Sequence, residues 1–336
     1  MLDRAHASVG NALSQFARAF WLEGPERGAI REEPLPALAE GCVRVEARYS
    51  AISRGTESLV WQGRVPESER QRMRCPHQAG EFSFPLKYGY ASVGRVVEGP
   101  RVLLGRSVFC LYPHQTEYVV PAEAVLPLPR QLAEARAVLA ANMETAINAL
   151  WDARPLLGDR VSVVGAGVVG SLCAYLARKM CAVEVELVDL RGERATLAKA
   201  LGLDFSRPES ARTGRDLVFH ASGSALGLQT ALNLVADEGT VLELSWFGDR
   251  MVPLPLGERF HAGRLTLTSS QVGRVSRNAR ARFDHRGRLG LALEMCRDPL
   301  LDAVFEDETP FEELPEAMPR LLDAQRGGLC HRIRYG

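Results

Sequence analysis

The stretch Asp159-Arg160-Val161-Ser162-Val163-Val164-Gly165-Ala166-Gly167-Val168-Val169-Gly170 reads as an apolar strand, a G-x-G-x-x-G turn and the start of a helix. The spacing has a mechanical basis. Gly165 permits a tight turn, Gly167 lets backbone approach a pyrophosphate, and Gly170 lets the helix pack closely on the sheet, so that the amides near Val168 and Val169 face the anion. A lone glycine pattern is weak evidence. Here the helix ends near Met180, a second strand follows over 183–188, and Asp189 closes it nineteen residues past Gly170. That context makes the stretch a dinucleotide fingerprint. An acidic residue at this point bonds both adenosine ribose hydroxyls and repels a 2′-phosphate, so NAD(H) is expected in preference to NADP(H). Arg191 and Arg194 keep NADP(H) open.

Outward from the turn, helical periodicity at 132–151 precedes apolar strands at 160–164, 183–188, 216–220, 240–245 and 265–269. Helices at 169–179, 194–201 and 226–235 alternate with them, which predicts βαβ units on a parallel sheet. Residues 18–129 read instead as short β-runs between turn signals, at 19–22, 28–32, 42–52, 92–97, 107–111 and 117–121, an antiparallel pattern. The tail reads helix 289–296, helix 311–323 and strand 330–335, a return to the first domain. The expected class is α/β: a β-rich domain over 18–147 and 288–336, a Rossmann doubly wound parallel-sheet domain over 148–287, and an N-terminal extension over 1–17.

Composition narrows the function. With 336 residues, 46% of them hydrophobic and 24% charged, the chain has the makings of two ordinary globular domains. Lys plus Arg and Asp plus Glu each total 41, so no global field favours nucleic acid or an anionic membrane. Residues 161–177 run without a charge, close to the length of a membrane span, but Gly165, Ala166, Gly167 and Gly170 interrupt the run and Arg160 and Arg178 close it. The seven cysteines are scattered, with no C-x-x-C pair and no export signal ahead of them, which points to a reduced cytoplasm.

This arrangement resembles the medium-chain dehydrogenase/reductase superfamily from Arg18 to Tyr335. The landmarks are Gly55-Thr56-Glu57, Gly89-Tyr90-Ala91-Ser92-Val93-Gly94, Thr145-Ala146, the fingerprint, and Ala221-Ser222-Gly223-Ser224. Within it, Ile52-Ser53-Arg54-Gly55-Thr56-Glu57, Trp61-Gln62-Gly63-Arg64 and Gly89-Tyr90 look most like the bacteriochlorophyllide hydroxyethyl dehydrogenase branch, a match over about forty residues. The resemblance implies a GroES-like catalytic domain, a nicotinamide cofactor, a small-molecule substrate, and a homodimer built on the edge near 240–244 and 265–269. In the zinc alcohol dehydrogenases of this superfamily a Cys precedes Gly-Thr/Ser-Asp, a His follows Gly in Gly-His-Glu, and a Cys or Glu lies shortly before Thr-Ala. Here those places hold Arg54, Tyr90 and Ala141, none a zinc ligand. The four-cysteine structural lobe is also missing, since Gly105 to Cys110 runs directly through Tyr112-Pro113-His114-Gln115 into Thr116. No zinc is expected. One alternative set, Cys75, His77, Cys110 and His114, carries the right elements for a tetrahedral site.

Hydride transfer to or from an alcohol develops negative charge on oxygen, and some donor must stabilise it. Tyr90 and Arg54, at the vacated ligand places, are expected to point at that oxygen. Thr56 sits at the relay hydroxyl, and Glu57 pairs with Arg54 or orients Tyr90. Tyr112 and His114 fall where the quinone and enoyl reductases of the superfamily border the nicotinamide, and a histidine there serves as acid or base. Thr145, with Glu144 before it, lies where the nicotinamide should stack. His220, Ser222, Gly223, Ser245 and Ser270 end strands that meet the cofactor. Each has a plain structural reading too: Tyr90 as filler of the zinc hole, Arg54 with Glu57 as an ion pair, His114 as a surface residue, Glu144 as a helix-face carboxylate. Arg274, Arg277, Arg280, Arg282, Arg286 and Arg288 form either a solvated face or a clamp for a phosphorylated or carboxylated substrate. The leading function is a zinc-independent NAD(P)-dependent oxidoreductase acting on an alcohol/ketone pair. Alternatives are a quinone/enoyl-type C=C reductase and a catalytically inactive nucleotide-binding protein.

Overall fold

The computed structural model describes residues 15–180, 183–323 and 326–336. Residues 1–14 of the extension expected over 1–17, and Cys181, lie outside the described residues; the first strand already begins at Phe16.

Alternating burial sets the opening elements. In β1 (Phe16–Gly24) Ala17, Ala19, Phe20 and Leu22 turn inward, and β2 (Arg27–Pro34) pairs with it as a hairpin. The long β3 (Cys42–Ile52) buries Val43, Val45 and Ala47. It leads into α1 (Arg54–Trp61), a helix the sequence pattern did not announce. Its opening turn carries Gly55 and its apolar residues fill little more than one turn, too short a run to show a period of 3.6. The strands β4 (Ala79–Gly80), β5 (Leu86–Lys87), β6 (Ser92–Glu98), β7 (Ser107–Cys110), β8 (Glu117–Pro121) and β9 (Val125–Pro127) complete this half.

The expected helix over 132–151 is split into α2 (Glu134–Ala137) and α3 (Ala140–Ala153). Then come β10 (Arg160–Val164), α4 (Val168–Lys179), β11 (Glu184–Val188), α5 (Arg194–Ala200), β12 (Asp204–Ser206), β13 (Arg215–His220), α6 (Ala225–Leu234), β14 (Val235–Glu243) and β15 (Thr266–Ser269). They form a parallel sheet in the order β12-β11-β10-β13-β14-β15. The order reverses between β10 and β13, and a crevice opens at such a switch point. Both central strands are buried on both faces, which explains their near-continuous apolar sequence.

After α7 (His285–Met295), β16 (Phe305–Pro310) and α8 (Leu314–Leu321), β17 (Cys330–Arg334) pairs antiparallel with β3, His331 opposite Ile52. The outer strand β16 was not anticipated, because Phe305-Glu306-Asp307-Glu308 carries the acidic load of a protected edge instead of an apolar alternation.

Helix α3 is the spine between the halves. Its Met143, Ala146 and Ile147 belong to one apolar cluster that reaches Ala51, Val93 and Phe109 on one side and Leu172 and Leu187 on the other. Each large aliphatic side chain so buried contributes about 1.5–3 kcal/mol. The uncharged run 161–177 is accounted for by the buried strand β10 and helix α4. Among the described residues no helix is long and apolar enough to cross a membrane.

Candidate active site

The phosphate turn is built by what glycine lacks. Gly165 has φ +111°, and a Cβ on it would stand 2.6 Å from the Ser222 amide nitrogen; a Cβ on Gly170 would stand 1.9 Å from the Gly165 carbonyl oxygen. Space beside Gly167 is open, and α4 begins directly after it. The dipole and free amides of that helix end suit a diphosphate. Asp189, at the end of β11, is fixed by two backbone amides, Ala166 N–H to Oδ2 at 2.7 Å and Arg191 N–H to Oδ1 at 2.9 Å. Arg191 donates to the Arg326 carbonyl, and Arg194 to the Gly327 carbonyl.

Arg54 joins these two arginines. Its guanidinium donates to the Asp323 carbonyl, and burial, reinforced by Arg191 and Arg194 and opposed by Glu306 and Asp323, lowers its pKa. The expectation that Arg54 points with Tyr90 at one reacting oxygen is therefore corrected: the first turn of α1 sends Arg54 towards Asp323, Arg191 and Arg194, and its successors Thr56 and Glu57 towards Tyr90 and His114.

Tyr90 meets the hydroxyls of Ser53 and Thr56, and its ring lies edge-on to Tyr88 with centroids 6.0 Å apart. Burial, and then the charge of Glu57, push its phenol above the ordinary range, against the lowering effect of the Ser53 and Thr56 hydroxyls. Asn142, on α3, donates to Ser53 Oγ at 3.2 Å. Glu57 pairs with a histidine and not with Arg54. Its Oε1 accepts the Ser53 amide at 2.7 Å and its Oε2 lies 3.1 Å from His114 Nε2. His114 is 1% exposed, so it is no surface residue. Its Nδ1 lies 2.7 Å from Ser50 Oγ, which in turn lies 2.9 Å from the Tyr335 hydroxyl. A small cavity bordered by Glu57, His114, Tyr88, Val60 and Met318 adjoins this row.

Other expected residues go elsewhere. Tyr112 stacks on Tyr118 at 3.9 Å, with His77 at 5.2 Å on its ring. Burial, and then the charge of Glu33, raise the pKa of Tyr112. Cys110 packs among Val45, Val96 and Tyr118, whereas Cys75 lies in the cluster of Phe20 and Tyr88. The four candidate metal ligands Cys75, His77, Cys110 and His114 are thus divided, and no group of three or more His, Cys, Asp or Glu converges among the described residues. Thr145 donates to the Ala141 carbonyl at 3.1 Å. Burial raises the pKa of Glu144, Arg288 counters it at 2.9 Å, and the pair ties α3 to α7. Ser270 Oγ donates to Asp152 Oδ2 at 2.6 Å, on the last turn of α3.

Arg288 also separates the arginine run, since it is 1% exposed and donates to the Val272 and Arg274 carbonyls. Arg286 donates to Glu123 and Val125 carbonyls. Arg274, Arg277, Arg280 and Arg282 remain exposed. At the ends of β13 and β14, Ser222, His220, Glu243 and Ser245 form one hydrogen-bonded group, with Ser245 Oγ accepting the Gly223 amide at 3.0 Å.

Sequence reasoning missed Ser50, Ser53, Asn142 and Tyr335. Polar residues in buried strand or helix positions were the only available signal.

No protein-family model matches the chain. It is 24% identical over 269 residues to the D-guloside 3-dehydrogenase of Escherichia coli K12, covering 71% of this chain and 75% of that one. It is 23% identical over 356 residues to an uncharacterized zinc-type alcohol dehydrogenase-like protein of Haemophilus influenzae, covering 91% and 95%. An alcohol dehydrogenase from E. coli CFT073, solved in complex with NADH, superposes with a TM-score of 0.74 at 15% identity, over 96% of this chain and 100% of that one, and shows the shared fold. The sheet order, the glycine turn and these likenesses agree: the chain has the fold of the alcohol dehydrogenases and is similar in sequence to alcohol dehydrogenase-like oxidoreductases of the medium-chain dehydrogenase/reductase superfamily.

Proposed function

We propose that the chain transfers hydride between a nicotinamide and an alcohol/ketone substrate without zinc. The observation that carries the reading is Tyr90, a phenol kept protonated where the zinc-type enzymes have a histidine ligand, with Ser53 and Thr56 on its hydroxyl and Glu57 beside it. Arg54, Tyr90 and Ala141 do not fit a zinc ion, so no step runs through one. A bound nicotinamide supplies the hydride acceptor or donor. Tyr90 donates a hydrogen bond to the reacting oxygen, which is worth most in a water-poor site. Thr56 passes the proton inward, and the Glu57–His114 pair holds it. Asp189, with both oxygens oriented by backbone amides, supports NAD(H) over NADP(H). Arg54, Arg191 and Arg194 supply positive charge at the phosphate rim.

Finer readings belong here too. The motifs over residues 52–64 and Gly89-Tyr90 favour the bacteriochlorophyllide hydroxyethyl dehydrogenase branch. Exposed Arg274, Arg277, Arg280 and Arg282 suit an anionic substrate. β15 ends the parallel sheet, and a second copy would pair along it. The six described cysteines are free, which suits a reduced cytoplasm.

Stopped-flow absorbance of bound NADH, mixed with ketones and separately with enones, tests the reaction. Oxidation by ketones is expected. Oxidation by enones alone would transfer the site to C=C reduction, and silence with both despite tight NADH binding would make the chain a nucleotide-binding protein. Stoichiometric zinc in protein purified without chelator would overturn the metal-free reading. Replacing Arg280 and Arg282 by Ala is expected to raise KM for anionic substrates only.

A further inference from the structure

Three side chains stand in a row at the C-terminal edge of the parallel sheet. Glu243 ends β14, His220 ends β13, and Ser222 follows two residues later. His220 is fully buried while Ser222 is exposed. His220 Nδ1 lies 2.7 Å from Glu243 Oε2 and 2.9 Å from Oε1, and Nε2 lies 2.6 Å from Ser222 Oγ. Donor accounting fixes the tautomer. With Glu243 ionised, both its oxygens accept, Oε1 also from the Ser245 amide at 2.6 Å, and in the neutral imidazole Nδ1 carries the hydrogen. Nε2 is then an acceptor, and the Ser222 hydroxyl hydrogen is the donor that meets it. The Ser224 amide donates to Ser222 Oγ at 3.2 Å, which holds the oxygen in register. Phe247 stacks near the imidazole, and a Cβ on Gly227 would stand 2.9 Å from Nε2, so the ring is boxed in. The proposed hydride transfer moves no proton through this row, although Ser222 and Ser245 end strands expected to border the cofactor.

We propose that Ser222 is a nucleophile, activated by His220 and Glu243, that accepts an acyl group from an activated ester at the rim of the phosphate turn. Ser222 Oγ bonds to the ester carbonyl carbon while its hydrogen passes to His220 Nε2. The bond from that carbon to the leaving oxygen breaks, and the leaving group takes the hydrogen back. Glu243 holds the imidazolium formed in between. Water then hydrolyses the acyl-serine and restores the free hydroxyl. Because Ser222 backbone lies against Gly165, the acyl group and a dinucleotide compete for the same space.

The test treats the full chain with a fluorophosphonate, whose P–F bond breaks as phosphorus bonds to the serine and the proton leaves with fluoride, and maps the adduct by tandem mass spectrometry. The adduct is expected on Ser222, with p-nitrophenyl acetate hydrolysed at a rate that Ser222→Ala abolishes. Glu243→Gln, which keeps the imidazole but favours the wrong tautomer, is expected to lower the limiting labelling rate at least about tenfold without changing the half-saturating concentration. His220→Gln does the same, and if it fails to fold, Glu243→Gln alone decides. NADH is expected to slow labelling. An unlabelled Ser222, or labelling indifferent to Glu243→Gln in a protein of unchanged circular dichroism, overturns the proposal; labelling indifferent to saturating NADH overturns the competition. The ketone assay is independent, so failure of one reading leaves the other standing.

Discussion

His114 and His220 each hold a glutamate on one ring nitrogen and a serine on the other, yet the two rows end differently. Beyond Ser50 the first row is closed by Tyr335, itself 7% exposed. Beyond Ser222 the second opens on the cofactor crevice. The orientation is also reversed, with glutamate on Nε2 of His114 and on Nδ1 of His220. The same three residue types therefore serve different ends: where the serine is sealed, its hydrogen is confined to the row, and where it is open, its oxygen meets reagents. What lies past the serine decides the chemistry, and not the pair itself.

The comparison breaks most readily through stability. His114→Ala leaves Glu57 buried without its partner, and denaturant unfolding is expected to show a loss of about 3–5 kcal/mol. His220→Ala, beside a glutamate with 14% of its side chain exposed, is expected to lose distinctly less. Equal losses would dissolve the distinction between the rows. Next in size, Tyr90→Phe is expected to lower turnover about 10²-fold with NADH affinity unchanged, the scale of one lost donor to a developing oxyanion. An unaltered turnover would remove Tyr90 from the site and leave the first row purely structural. Tyr335→Phe removes the closing hydroxyl, and about 1 kcal/mol of stability should go with it.

The smallest effect comes from an exposed pair, as a control on burial. Hydrogen bonds from Arg160 hold the Asp216 carboxyl down at about 2. A depressed carboxyl stabilises the fold above its unfolded value of 3.8 and loses that contribution as pH falls through about 2. Asp216→Asn is expected to differ from the parent by under about 1 kcal/mol at neutral pH, with the difference closing between those two values. A gap that persists at lower pH would point to packing instead of charge.

The glycine turn was legible because each residue in it answers a local demand, and the parallel sheet, though not its strand order, followed from alternation. Thr56, Glu57 and Tyr90 were legible by motif, and the structure does bring them together. Arg54 was not, because its motif gives position but not the rotation of the first turn of α1. The His114 row was hidden for another reason. Ser50 and Tyr335 lie 285 positions apart and meet only when the last strand docks. Arginine density likewise could not reveal that Arg288, alone of the six, turns inward to Glu144.

That late docking has a consequence for how the molecule is made. During synthesis β3 leaves the ribosome before the strands of the parallel sheet, but its neighbour β17 emerges after them. Until then one edge of the central antiparallel sheet stays unpaired, open to a wrong partner. The nascent chain thus carries its proton row unfinished, while the nucleotide-binding sheet can already be complete.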